Sequence, residues 1–170
     1  MNDKLAYTVF KTKMGWIVIL GSKDGLRAIT LPQTTREQAL DAVGERVKQA
    51  ELSTESFSGL EQKLEGYYAG TKTAFIEKLD FSNATPFQRQ VWEAAKLIPC
   101  GETRSYGWIA QQIGKPKAAR AVGSALGKNP FLVVVPCHRV IAGDGTLGGF
   151  GGGLEMKQKL LEMEKAGLSF

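Results

Sequence analysis

The chain has 170 residues, of which 43% are hydrophobic and 23% charged, and it carries a net charge of +5. These values are typical of a soluble globular protein with one or two small domains and a buried core. No apolar run approaches the roughly 20 residues that cross a membrane, and the N-terminus lacks the pattern of a secretory signal, so we expect a cytosolic protein.

Three segments rich in β-forming residues open the chain and predict two or three antiparallel strands. They are residues 7–10, 16–20 and 26–31. Turn signals separate them, at Met14-Gly15 and at Asp24-Gly25. The N-terminal part of the chain therefore predicts a small β-meander.

Helical spacing returns after this meander. A cap at Thr34 or Thr35 predicts a helix that runs to about Gln49. Ser58, with Glu61 three residues later as a capping box, predicts a second helix to about Tyr68. Residues 74–79 are an additional strand candidate. We expect a small α/β scaffold domain that ends near Ser82.

The second half of the chain is predicted to be mostly helical. Thr85-Pro86-Phe87-Gln88 is a good helix start, and that helix is expected to run to about Leu97. Ser105 predicts the cap of a helix over 106–113, and a further helix is expected over 117–126. The last two, with a glycine-containing turn between them, have the dimensions of a helix-turn-helix.

The positive charge lies in this second half. Residues 83–170 hold 11 basic and 6 acidic side chains, which accounts for the whole +5. No acidic residue lies between Thr103 and Arg139. The basic residues of that interval are Arg104, Lys115, Lys117, Arg120, Lys128 and Arg139. Such a stripe favours a polyanion such as nucleic acid, although a solvated surface has the same composition.

Small residues dominate one face of the predicted helix over 117–126. Ala118, Ala119 and Ala121 surround a single projecting side chain, Arg120. This face fits close packing against another helix, and it also fits close approach to a phosphate backbone.

The most informative stretch follows. Residues 131–135 are apolar and predict a short buried strand that Pro136 ends. Cys137 and His138, the one histidine of the chain, come next. A thiol beside an imidazole fits an activated nucleophile, whereas a buried structural cysteine is the alternative. Two cysteines and one histidine are too few for a zinc cluster, and Cys100 and Cys137 are expected as thiols.

A glycine-rich loop and a final helix complete the chain. The loop, residues 148–153, either offers backbone groups to a flat ligand or is flexible. The helix is predicted over 154–166, with an apolar face made by Met156, Leu160, Leu161 and Met163. Glu164 on this helix reads from its position alone as a surface acid.

Pro136-Cys137-His138-Arg139-Val140 closely resembles the central motif of the O6-alkylguanine-DNA alkyltransferases. It is preceded by Gly127-Lys128-Asn129-Pro130 and by Lys117-Ala118-Ala119-Arg120-Ala121-Val122-Gly123, which match as well. The match is strong over residues 85–167. The resemblance implies an α+β protein. Residues 1–82 would form a ribonuclease H-like α/β domain with an antiparallel sheet, and residues 83–170 a mostly helical DNA-binding alkyltransferase domain.

The same resemblance implies roles for individual residues. Cys137 would accept the alkyl group, His138 would draw its proton, and Glu164 would orient that imidazole. Asn129 would hold the turn, and Tyr106 would give a proton to the leaving guanine. Arg120 would fill the space of the flipped base. The other residues expected at the DNA are Gly107, Lys115, Lys117, Ala118, Ala119 and Ala121. Those expected at the base pocket are Val140, Gly149, Phe150 and Gly151.

The family reading implies a protein that repairs O6-alkylguanine, and O4-methylthymine as well, in double-stranded DNA by single-use transfer to its own cysteine. The resemblance implies no cofactor and no metal. The expected partner is the minor groove of DNA, which a monomer would bind. Phe150-Gly151 stands where some members have Tyr-Ser, so hydrogen bonds to the substrate oxygen would rest on backbone N–H groups. The alternatives are a lesion-binding relative, a cysteine hydrolase and a plain helix-turn-helix regulator. The presence of Cys137 argues against the first.

Overall fold

In a computed structural model, residues 4–166 are described and the chain forms two compact units. The first unit extends to Ser82 and also includes residues 130–132. The second unit comprises residues 83–129 and the chain from Val133 onwards. None of the helices within residues 4–166 is long and apolar enough to cross a membrane.

The first unit is built on a four-stranded sheet. The strands β1 (Leu5–Thr12), β2 (Gly15–Ser22) and β3 (Gly25–Ile29) form an antiparallel meander, as predicted. A short fourth strand, β4 (Ala50–Leu52), pairs with β1 in parallel and gives the order β3-β2-β1-β4. The expected antiparallel sheet is therefore present, with one parallel strand added at its edge. The sequence did not reveal this strand, because three residues give too short a pattern to detect.

Both turns of the meander require glycine. Gly15 and Gly25 have φ angles of +137° and +135°, which side-chain-bearing residues rarely adopt. A Cβ on Gly15 would also come within 2.5 Å of the Gln33 carbonyl oxygen, and one on Gly25 within 2.6 Å of the Lys78 carbonyl oxygen. These close approaches explain why the turn signals in the sequence were reliable.

Two helices accompany the sheet. The first, α1 (Arg36–Val43), begins with a capping box between Thr35 and Gln38 and places Ala39 and Val43 in a core with strand residues. It ends at Gly44, where the φ angle is +78°, and a 3₁₀ segment follows to Gln49, so the single helix predicted to Gln49 was too long.

The second, α2 (Ser58–Tyr68), has the predicted length but not the predicted cap. Phe57 occupies the cap position, and Glu61 accepts a hydrogen bond from the Thr8 hydroxyl at 2.6 Å instead of closing a capping box.

The strand predicted at residues 74–79 does not form. Leu79 makes one isolated bridge to Leu26, and the rest of the segment is irregular. Ile76 is 83% exposed, so the apolar residues that suggested a strand are not all buried.

The second unit is mostly helical. The helix α3 (Pro86–Ala95) starts with the predicted capping box between Thr85 and Gln88, with Pro86 in the first turn. The helices α4 (Tyr106–Gln112) and α5 (Ala119–Gly127) form the predicted helix-turn-helix pair. The Trp92 indole Nε1 of α3 donates to the Ala125 carbonyl of α5 at 2.9 Å, which joins these two helices. The last helix is α6 (Leu154–Ala166), and Gly167, expected to end it, lies outside the described residues.

The strand predicted at residues 131–135 is wrong. Residues 133 and 134 form a turn, and Val133 has a φ angle of +75°, an uncommon conformation for a β-branched residue. Val133, Val134 and Val135 are nevertheless buried. The apolar run reflected burial rather than extended backbone, because both a buried turn and a buried strand give the same pattern.

A two-residue pairing organises the second unit. The strand β5 (Arg104–Ser105) lies directly before α4, and β6 (Val140–Ile141) lies directly after the 3₁₀ turn Cys137–Arg139. The two strands pair in parallel, with Arg104 opposite Val140 and Ser105 opposite Ile141. This pairing brings the start of α4, and thus Tyr106, to the same place as Cys137.

Candidate active site

Cys137 lies in the 3₁₀ turn that follows Pro136 and is only 7% exposed. A backbone hydrogen bond fixes this turn to the residues before it, since the Cys137 N–H donates to the Val135 carbonyl at 2.8 Å. The Asn129 side-chain amide donates to the same carbonyl at 3.0 Å and also hydrogen-bonds Cys137. Asn129, itself buried, therefore fixes both the turn and the sulfur.

The pKa of Cys137 is raised, because burial disfavours the thiolate. Four groups oppose this effect: the Asn129 side chain, the positive charge of Lys157, and the backbone N–H groups of Cys137 and His138. The resting sulfur is therefore a protonated thiol that already sits among donors suited to an anion. Such a thiol needs a base to become a nucleophile.

His138 and Glu164 form a buried pair. Both side chains are 1% exposed, and the imidazole Nε2 hydrogen-bonds the Glu164 carboxylate. Glu164 is on α6, so its reading as a surface acid from sequence position alone was wrong, while the pairing is the one that the family resemblance implied.

Arg139 completes this cluster. Its guanidinium donates to both carboxylate oxygens of Glu164, with the shortest contact at 2.8 Å, and to the Ile98 carbonyl at 2.8 Å. Arg139 is buried and therefore does not belong to a basic surface stripe, which corrects its inclusion there. Its positive charge neutralises Glu164.

The pKa values of this cluster follow from burial and charge. Burial lowers the pKa of His138, and the hydrogen bond to Glu164 opposes that effect without cancelling it, so the imidazole is neutral at neutral pH. Burial would raise the pKa of Glu164, but hydrogen bonds from His138 and Arg139 outweigh it and hold the pKa at about 2. The result is a neutral imidazole on a carboxylate anchor, which is the form that accepts a proton.

Tyr106 is the second proton-bearing group near Cys137. Its hydroxyl lies 3.4 Å from the Gly149 carbonyl oxygen, to which it donates. Burial raises the pKa of the phenol, a hydrogen bond to Gly149 opposes this, and the charge of Cys137 raises it further. The phenol is therefore protonated at neutral pH and available as a donor.

The glycine-rich loop touches Tyr106 through Gly148. This residue has a φ angle of +70°, and an added Cβ would lie 2.7 Å from the Tyr106 hydroxyl oxygen. The phenol and the loop backbone are thus in close contact. Of the residues expected to line a base pocket, Val140 is buried, Phe150 is half-buried, and Gly149 and Gly151 are exposed.

If Cys137 reacts as the family resemblance implies, Gly148→Ala is expected to slow that reaction by about ten- to a hundredfold, because the new methyl group displaces the Tyr106 hydroxyl. The backbone strain at a positive φ adds a loss of about 1 kcal/mol in stability. Single-turnover kinetics measure the effect. Gly143→Ala is the matched control, since nothing lies within 4 Å of its Cβ position. An unchanged rate in Gly148→Ala would show that the position of Tyr106 does not matter.

The residues expected at DNA lie on the helix-turn-helix. Lys115, Lys117, Arg120 and Ala121 are exposed, whereas Gly107, Ala118 and Ala119 are half-buried. Arg104 is less available to bind a polyanion than expected, because its guanidinium pairs with Glu102 at 3.0 Å and lies over the Trp108 ring. The exposed cations of the turn and of α5 make this surface positive, which suits a polyanion.

Sequence reasoning missed two residues of the site, Arg139 and Lys157. Lys157 lies on α6, is 0% exposed, and donates to the carbonyls of Val140 and Gly149 at 2.6 and 3.2 Å. The sequence signal for Lys157 was its spacing from Glu164. The two residues are seven apart with Leu160 between them, so all three lie on one face of α6. That face is the buried one, and Met156, Leu161 and Met163 are only half-buried.

Neither Cys100 nor Cys137 forms a disulfide within the described residues. In the same part of the chain, residues 4–166, no group of three histidine, cysteine, aspartate or glutamate side chains is arranged to hold a metal ion.

Comparison with known proteins places both units in one family. Residues 5–81 match the model of the 6-O-methylguanine DNA methyltransferase ribonuclease-like domain, and residues 86–166 match the model of the DNA binding domain of the same proteins. The Methanosarcina acetivorans methylated-DNA–protein-cysteine methyltransferase is 40% identical over 158 residues, which cover 93% of this chain and 97% of that protein. The Mycobacterium tuberculosis protein of the same name is 55% identical over 111 residues, 65% of this chain and 67% of its own.

Solved structures agree. The crystal structure of Mycobacterium tuberculosis OGT in complex with DNA is 42% identical in sequence and has a TM-score of 0.80. The match covers 95% of this chain and 94% of that one. The O6-methylguanine-DNA methyltransferase of Pyrococcus kodakaraensis is 26% identical, with a TM-score of 0.71 over 94% of this chain and 98% of that one.

Proposed function

The chain belongs to the 6-O-methylguanine DNA methyltransferase family, and on this premise we propose that it repairs O6-alkylguanine in DNA by transferring the alkyl group to Cys137. One observation carries the assignment of Cys137. Its thiol is buried in one turn with His138, whose neutral imidazole hydrogen-bonds the Glu164 carboxylate, and the pairing of β5 with β6 brings the start of α4, and with it Tyr106, to the same site.

The reaction is a displacement at the alkyl carbon. His138 draws the thiol proton through a water molecule, and the Cys137 sulfur forms a bond to the carbon with its electron pair. The bond between that carbon and guanine O6 breaks, and its electron pair goes to the guanine. Tyr106 gives its proton to the guanine anion, and the proton held by His138 later restores the phenol. The net result is a thioether on Cys137 and unmodified guanine.

This chemistry consumes the protein. A thioether has no good leaving group, and water does not cleave it, so each chain accepts one alkyl group. The protein itself is the acceptor, and therefore the reaction as written needs no redox partner or group carrier. The donors around the sulfur stabilise the thiolate that attacks.

The substrate reaches the buried thiol as a flipped base. We propose that α5 lies in the minor groove through Ala118, Ala119 and Ala121, with Gly107, Lys115 and Lys117 at the phosphate backbone. Arg120, exposed on α5, fills the space that the base leaves. Val140 and residues 149–151 surround the flipped base.

Residues 83–170 bind DNA and perform the transfer, and residues 1–82 act as a scaffold. O6-alkylguanine is the main substrate, and O4-methylthymine is a second one. The protein acts as a monomer in the cytoplasm.

The proposal is tested with a duplex that carries one radiolabelled O6-methylguanine. The label is expected to move to the protein and to saturate at one group per chain, leaving guanine in the DNA. A duplex with unmodified guanine is the control. Tight binding without transfer of the label would instead identify a lesion-binding protein, and turnover beyond one group per chain would exclude Cys137 as the final acceptor.

Arg120→Ala is expected to slow transfer from duplex DNA by about tenfold or more, because an unfilled gap makes base flipping costlier. Transfer from the free base O6-methylguanine needs no flipping and should keep its rate. Lys117→Ala is the matched control, since it removes one exposed charge of the same surface and lowers affinity in a salt-dependent way. If Arg120→Ala lowers the transfer rate equally with duplex DNA and with the free base, the proposed role of Arg120 in base flipping is contradicted.

A further inference from the structure

A fully buried lysine on α6 takes part in none of the proton or alkyl transfers described above. Lys157 is 0% exposed. Lysine is almost never fully buried unless its ammonium is paired, because an unpaired charge away from water is very costly. The partners of Lys157 therefore indicate what the residue does.

Three backbone carbonyls receive the ammonium. The Nζ atom donates to Val140 at 2.6 Å, to Leu147 at 2.5 Å and to Gly149 at 3.2 Å. An ammonium has three hydrogens, so its donor capacity matches this set. Val140 is in β6, just after the Cys137 turn, whereas Leu147 directly precedes the glycine-rich loop and Gly149 lies within it. One side chain thus ties the loop to the strand that follows the thiol.

Besides Lys157, the side chain described as reaching the segment of residues 143–153 from another element is Tyr106, whose hydroxyl donates to Gly149. Gly145, Gly148 and Gly153 have positive φ angles, and residues 143–146 are exposed. The Asp144 carboxylate accepts from the Thr146 hydroxyl at 2.7 Å, which closes a turn at the tip but does not attach the loop to the unit. The bonds from Lys157 reach the part of the loop that contacts Tyr106.

The same ammonium acts on the charges of the site. It lowers the pKa of Cys137, and the thiolate in turn raises the pKa of Lys157, although burial lowers the latter overall. The ammonium lies 5.9 Å from the centre of the Tyr106 ring. It also disfavours protonation of His138, as Arg139 does, while Glu164 favours it. Among the described residues, the charged and titratable neighbours of Cys137 and its base His138 are thus Lys157, Tyr106, Arg139 and Glu164.

We propose that Lys157 is a positioning residue that fastens the base-pocket loop to β6 and, with the same ammonium, stabilises the Cys137 thiolate. The inference rests on the proposed function, because it assigns the loop to the base pocket. Its two parts are separable. The hydrogen bonds fix the loop, and the charge acts through space on the sulfur.

Lys157→Met tests both parts, since methionine is unbranched, of similar length and without charge. The variant is made together with Cys100→Ser, so that Cys137 is the one thiol that reacts with iodoacetamide. The midpoint of that reaction against pH is expected to shift by about one unit towards higher pH. Amide hydrogen exchange at residues 147–149 is expected to accelerate at least tenfold. Lys159→Met, on the exposed side of the same helix, should change neither quantity.

Either result can overturn its part of the proposal. A purely structural lysine would leave the midpoint unchanged, or lower it by exposing the thiol to water, and this would exclude the electrostatic role. Unchanged exchange in the loop would exclude the fastening role. Neither assay involves DNA, so a protein that shows both effects and takes no methyl group from DNA would disprove the proposed function and not the role of Lys157.

A measurement on the unaltered protein covers the case in which Lys157→Met does not fold. With lysine labelled at Nζ by nitrogen-15, a buried ammonium bonded to three carbonyls gives a resonance protected from exchange at neutral pH. This resonance is expected to move with pH as the Cys137 thiol ionises, and to lose that pH dependence once iodoacetamide has alkylated Cys137, because the thioether cannot ionise. Rapid exchange of every lysine ammonium, or a protected signal that ignores alkylation, would contradict the proposal.

Discussion

Cys137→Ser is expected to abolish alkyl transfer from DNA, with a loss on the order of 10⁴-fold or more in single-turnover rate. Serine keeps the size of the side chain, but its hydroxyl ionises far less readily than a thiol. The donors around the sulfur, which include the Asn129 side chain, stabilise a thiolate and do not make an alkoxide accessible. The rate is measured with a duplex that carries one O6-methylguanine.

Cys100→Ser is the matched control for this change. Cys100 lies in the turn after α3 and is half-buried. The hydrogen bonds described above for His138 and Asn129 go to Glu164, Val135 and Cys137. The variant is expected to keep the full rate. The Cys137→Ser protein should still bind the duplex, because the exposed cations of the helix-turn-helix are untouched. Residual transfer at a rate near that of the unaltered protein would place the acceptor elsewhere.

Glu164→Gln is expected to lower the free energy of unfolding by about 3–5 kcal/mol at neutral pH, because it leaves the Arg139 guanidinium buried without its carboxylate. The transfer rate should fall on the order of a hundredfold, since the imidazole of His138 loses the anion that orients it. Urea unfolding and single-turnover kinetics measure the two effects. Glu162→Gln is the control, an exposed residue of the same helix whose loss should change neither.

The loss of unfolding free energy in Glu164→Gln, relative to the unaltered protein, should also depend on pH. The pKa of Glu164 in the folded protein is about 2, below its ordinary value of 4.5. A carboxyl with a lowered pKa stabilises the fold above its unfolded pKa, and this contribution is lost as the pH falls towards the folded pKa. The deficit of Glu164→Gln is therefore expected to be constant above about pH 5 and to shrink between pH 5 and pH 2. A deficit that does not change with pH would show that the carboxylate charge is not the cause.

Local rules predicted the helix starts and the hairpins well, because those features depend on neighbouring residues. The capping box at Thr85 and Gln88 and the glycines of the two β-turns are such cases. The failures involve tertiary context. The buried run at residues 131–135 is a turn rather than a strand, and burial alone decided its composition. The capping box expected at Ser58 lost Glu61 to a hydrogen bond with Thr8, 53 residues earlier in the chain.

The candidate site was predictable to a different degree at each residue. Cys137 and His138 could be named from their adjacency, and the family motif supplied Glu164, Asn129 and Tyr106. Nothing local could show that Arg139 turns inward to Glu164, since its partner is 25 residues away. Lys157 was missed because hydropathy assigns lysine to the surface, whereas the carbonyls that satisfy it come from a loop and a short strand of the same unit.

Peptide mapping after reaction with the O6-methylguanine duplex tests the assignment of the acceptor most directly. Trypsin cuts after Lys128 and Arg139, so Cys137 is released in the peptide 129–139, while Cys100 is in the peptide 97–104. The proposal predicts a gain of one methylene in mass on peptide 129–139, located on Cys137, in every chain that has reacted. A methylene on peptide 97–104, or complete loss of methyl from the DNA with no modified peptide, would contradict it.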